Sequence, residues 1–101
     1  MTKEQMNELY EKSLEIVTMM EELGIKEYKG YSLKSISSGT FLMLNNTYIS
    51  SSLSDTYVDD NLNKFIPAAS LEVMKQFQND IENHIFEELS NTYLAFIRKI
   101  T

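Results

Sequence analysis

With 101 residues, 43% apolar and 24% charged, the chain has the length and composition of one folded domain and too little material for two. Nine Lys and Arg against fifteen Asp and Glu leave a formal charge of −6, which disfavours direct nucleic-acid binding because phosphate recognition needs clustered cations. The lack of cysteine excludes disulfides, thiolate nucleophiles and Cys-based zinc or iron–sulfur sites.

The first residues, Met1 to Met6, are charged and helical in pattern, unlike the apolar core of a signal peptide. No run approaches the ~18 apolar residues of a membrane span. The expected compartment is therefore the cytoplasm, with no membrane partner. Met6, Leu9, Tyr10, Ser13, Ile16, Val17, Met20 and Leu23 recur at three-four spacing and predict an amphipathic helix over Lys3 to Leu23. Thr2 with Gln5 fits a capping box, and Gly24 with Ile25 fits a Schellman end. Glu8 and Lys12 stand at i,i+4 spacing for an ion pair.

Gly30 to Val58 changes character: Lys34 and Asp55 are its only charges, and it holds eight Ser among β-favouring residues. This pattern predicts a three-stranded antiparallel meander with strands near 31–37, 40–44 and 47–53. Ser38-Gly39 and Asn45-Asn46 suit its tight turns. In that register Tyr31, Leu33, Leu42, Leu44 and Ile49 share one face, and Ile36, Phe41, Met43 and Tyr48 share the other. Either helices cover both faces or the second face meets a partner. Strand 47–53 also lacks the Lys, Pro or bulge that usually guards an edge, so it invites a second copy or a partner strand.

Asp59-Asp60 can cap a short helix through Phe65, with Pro67 offsetting the next. From Pro67 or Ser70 onward, Met74, Phe77, Ile81, Ile85, Leu89, Tyr93, Phe96 and Ile100 keep helical spacing. An unbroken helix over that span would be roughly 45 Å long. Either Ser90-Asn91 breaks it, or its end projects and packs on a second copy. The fold class expected is α+β in the order α-β-β-β-α-α, one domain over 1–101, with all-α as the fallback.

Few residues point to chemistry. His84 aligns with Asp80 and Glu88 at i±4, a sparse metal face, but a second His and the Glu-x-x-His pattern are missing. The stretch from Asp59 imitates an EF-hand loop at Asp59, Asn61 and Asn63, then fails at Lys64 and Ser70. No Gly-rich phosphate loop occurs, and adjacent pairs such as Glu21-Glu22 and Glu87-Glu88 point apart on a helix. No catalytic residue, metal or cofactor is therefore expected.

Two surfaces remain. Asp80, Glu82, Glu87 and Glu88 lie in a stretch without Lys or Arg, and Asp55, Asp59 and Asp60 cluster before it. Together they predict an acidic surface able to dock on a basic protein groove, as a nucleic-acid mimic does. The apolar face of Ile36, Phe41, Met43 and Tyr48 predicts a partner or self-binding patch. In size and acidity alone, the chain resembles phage-encoded inhibitors of host nucleases or defence systems, anti-CRISPR proteins among them. That resemblance implies a non-enzymatic binding module that inhibits or regulates a larger, basic protein. The alternatives are a cytoplasmic immunity or antitoxin protein and a homodimeric structural or assembly protein.

Overall fold

The computed structural model describes residues 3–36, 39–45, 47–49 and 68–100. They form an α+β fold of helix α1 (Lys3–Leu23), strands β1 (Glu27–Tyr28), β2 (Tyr31–Ile36), β3 (Gly39–Leu44) and β4 (Thr47–Tyr48), then helices α2 (Ala68–Glu82) and α3 (Glu87–Ile100). The expected helix at 59–65, the Thr2 cap and the continuation of the last strand to 53 lie outside the described residues.

Helix α1 ends as its sequence predicts. Gly24 adopts φ 71, its N–H bonds the Glu21 carbonyl at 3.1 Å, and Ile25 N–H reaches back to Met20 O at 2.9 Å. This pair of bonds is the Schellman motif, and Ile25 packs back on the core. Buried Ser13, within the apolar stripe, donates to the Tyr10 carbonyl at 2.7 Å and so leaves no orphan hydroxyl.

The meander gains one short strand. β1 pairs with β2 across Lys29 (φ 48) and Gly30 (φ 90), a type I′ hairpin, so the antiparallel sheet runs β1-β2-β3-β4. The second tight turn falls where expected: Leu44 pairs with Thr47, and Asn45 takes φ 50. The first is displaced. Ile36 pairs with Gly39, where the expected turn would pair 37 with 40, and Gly39, at φ 141, opens β3. The resulting two-residue shift of register leaves both faces intact, because strand side chains alternate with period two. Tyr31, Leu42, Leu44 and Ile49 are indeed buried together.

On that face α1 contributes Leu9, Ile16, Val17, Met19 and Met20, and the C-terminal half contributes Met74, Phe77, Phe86 and Leu89. The break in the C-terminal half falls at 83–86 and not at Ser90-Asn91. Ser90 N–H bonds the Phe86 carbonyl at 2.9 Å, within the start of α3. His84 occupies the position that Gly24 fills in α1. It has φ 58, His84 N–H bonds Ile81 O at 3.1 Å, and Ile85 N–H bonds Asp80 O at 3.1 Å.

Phase explains the break. Phe77 and Phe86 are nine residues apart, so an unbroken helix would set them on opposite sides. The break instead turns Phe86 inward, 6.0 Å from Phe77 and 4.9 Å from Tyr31 between ring centroids, both edge-on. Tyr28 completes the cluster and donates its hydroxyl to the Ile85 carbonyl at 3.2 Å.

Candidate binding surface

Asp80 does not belong to the acidic surface. It is 7% exposed, accepts the Tyr31 hydroxyl on Oδ2 at 2.5 Å, and accepts the Gln76 side-chain amide on Oδ1 at 2.8 Å. Helical phase is the cause, since Asp80 lies three residues after Phe77 on the core-facing side. Burial and the bond to Asp80 push the Tyr31 hydroxyl far above the usual tyrosine range, so it stays protonated as donor. Every buried side-chain N or O among the described residues has a partner. This bridge from sheet to α2 is structural.

Glu82, Glu87 and Glu88 are exposed where expected, around the α2–α3 break. Glu87 and Glu88 also occupy the first turn of α3, where carboxylates offset the positive end of the helix dipole. Asp55, Asp59 and Asp60 lie outside the described residues. On the other sheet face, Phe41 and Met43 are half-buried. Ile36 and Tyr48 hold register positions on that face, with side chains outside the described set.

A stronger acidic feature lies on α1. Glu4, Glu8, Glu11, Glu15 and Glu22 are all exposed, and their spacings of four, three, four and seven put them on one stripe opposite the core. The stripe runs about 27 Å along the helix. The helical spacing of these glutamates is a signal in the sequence, but Lys12 interrupts the run, so α1 does not stand out as a segment free of Lys and Arg. Lys12 pairs with Glu15 at 3.5 Å, in place of the expected Glu8.

Beside this ridge, three shallow depressions follow the seam between α1 and the C-terminal helices. The first, about 320 Å³, lies among Glu8, Leu9, Lys12, Ile81 and Glu82. The second, about 420 Å³, shares Lys12 and Ile81 and adds His84, Phe86, Glu87 and Ser90. The third, about 410 Å³, shares Ser90 and adds Glu15, Thr18, Met19, Tyr93 and Leu94. Shared residues join them into one groove, whose lining carries Glu8, Glu15, Glu82 and Glu87 together with the base Lys12.

His84 and Ser90 share the middle depression without a hydrogen bond between them, so the base–nucleophile contact of acyl transfer is not made there. No three His, Asp or Glu among the described residues converge to hold a metal ion. No helix among the described residues is long and apolar enough to cross a membrane.

The chain matches no protein-family model, no curated protein and no solved structure. Its chemistry has to be read from this surface.

Proposed function

We propose that the chain is a small, non-enzymatic protein-binding module that inhibits or regulates a larger protein by occupying a basic site, as an anti-defence inhibitor of a nuclease does. The observation that carries this reading is the α1 glutamate ridge alongside a groove whose lining holds four glutamates and one lysine. Stability alone disfavours such a ridge. Glu4–Glu8, Glu8–Glu11 and Glu11–Glu15 are like-charge neighbours, each costing about 0.2 to 0.5 kcal/mol in a helix. Lys12 relieves only one of these residues. A row of like charges also steers a basic partner into encounter and weakens with salt.

The partner this surface suits presents Lys and Arg around an apolar segment that seats in the groove. An immunity or antitoxin protein would use the same surface toward a toxin. The test is the triple variant Glu8→Gln, Glu11→Gln, Glu15→Gln, which removes charge without touching the core. Partner affinity measured by calorimetry should fall at least tenfold at low salt, with the circular dichroism spectrum unchanged. Unaltered affinity in the folded variant would remove the ridge from the account.

A further inference from the structure

We infer that the depression between the second half of α1 and the middle of α3 is the subsite for an arginine side chain of the protein partner. This rests on the proposed reading of the groove and names the residue type that anchors there. Glu15, Thr18 and Met19 line it from α1, and Ser90, Tyr93 and Leu94 line it from α3. Lys12 lines both other depressions of the groove, whereas this one holds a carboxylate and no base. At about 410 Å³ it stands near the small end of ligand pockets, roughly 300 to 1,000 Å³, a size suited to one long side chain.

Hydrogen bonding sets the sign of the occupant. The Thr18 hydroxyl donates to the Leu14 carbonyl at 3.0 Å, and the Tyr93 hydroxyl donates to Glu22. Both hydroxyl hydrogens are therefore committed, and with the Glu15 carboxylate these oxygens present lone pairs to a donor. Lys12 meets Glu15 at 3.5 Å, but Glu15 stays 58% exposed in that pair, which water keeps weak, so its carboxylate is open to a second cation. Met19 is buried and Leu94 is 51% exposed, an apolar lining that an alkyl stem covers while its charged head reaches Glu15. The planar guanidinium of arginine also lies flat on an aromatic ring, here Tyr93, and is more weakly hydrated than an ammonium, which selects arginine over lysine.

Two-dimensional amide NMR of the full chain, titrated with the capped tripeptide Ala-Arg-Ala, tests this directly. The Thr18, Met19, Tyr93 and Leu94 amides should shift and saturate. The citrulline counterpart, which keeps the length of the side chain but not its charge, should leave them in place, and the lysine counterpart should bind more weakly. Glu15→Gln should weaken binding of the arginine peptide on the order of fivefold, the worth of one exposed ion pair. Leu94→Ala should weaken it as well, and both substitutions fall at exposed positions that leave the core untouched. Equal shifts with the citrulline or the lysine peptide would overturn the inference. So would Thr18 and Tyr93 amides that stay unshifted, even where those of Glu4, Glu8 and Glu11 respond. That outcome removes this subsite alone and leaves a basic partner on the ridge, which the triple glutamine variant tests separately.

Discussion

His84 and Gly24 end their helices with the same two backbone bonds, yet only glycine takes a positive φ without steric cost. His84→Gly should therefore stabilise the fold by about 0.5 to 1 kcal/mol, the relieved strain outweighing the added freedom of the unfolded chain. Urea denaturation would show this as a higher midpoint at unchanged slope. Tyr31 and Asp80 make the opposite case, a buried polar pair in which each needs the other. Asp80→Ala leaves a buried hydroxyl without an acceptor and should cost about 1 to 3 kcal/mol. The pH dependence follows from the raised Tyr31 value. The fold favours the protonated phenol, so its contribution is complete below the unfolded value of about 10 and is lost as pH rises above it. Stability of the parent chain should thus fall more steeply above that pH than stability of Tyr31→Phe.

Among the elements, α1 was legible to the residue because its stripe, its glycine stop and the returning Ile25 all agree. The faces of β2 and β3 were legible for a different reason. Alternation fixes which side chains are inward even though the pairing of Ile36 with Gly39 is shifted by two residues of register from the expected one. β1 escaped notice because Glu27–Tyr28 is too short for a pattern, and its turn, Lys29-Gly30, has only half of the usual Asn-Gly signature. The α2–α3 break escaped because Ile85, Leu89 and Tyr93 keep an apparent helical period across it. The decisive contact, Phe86 against Tyr31 and Phe77, links residues far apart in the chain. Phe86→Ala should cost about 3 to 5 kcal/mol by opening the cluster that holds the break. Thermal unfolding and the near-ultraviolet tyrosine signal would both report it, and a loss below 1 kcal/mol would assign the break to local backbone preference instead.

At the scale of the whole molecule, net charge indicated an acidic surface but not its location. Asp80, counted from its place in a segment without bases, turns inward by helical phase, while the α1 glutamates, in a segment interrupted by Lys12, form the continuous ridge. Charge sums along the chain therefore misplace a surface that periodicity would have found. Reversal experiments should leave Asp80 alone and target Glu8, Glu11, Glu15, Glu82 and Glu87, which are exposed and can change binding without opening the core.

The most direct test of the central claim is affinity capture from lysate of the chain's own host or target cell, at low and at high salt. The parent chain and the Glu8→Gln, Glu11→Gln, Glu15→Gln variant would serve as paired baits, with mass spectrometry of what elutes. The account predicts a stoichiometric basic protein on the parent bait at low salt, lost at high salt and absent from the variant. The same protein on both baits regardless of salt, or no basic protein on either, would contradict it.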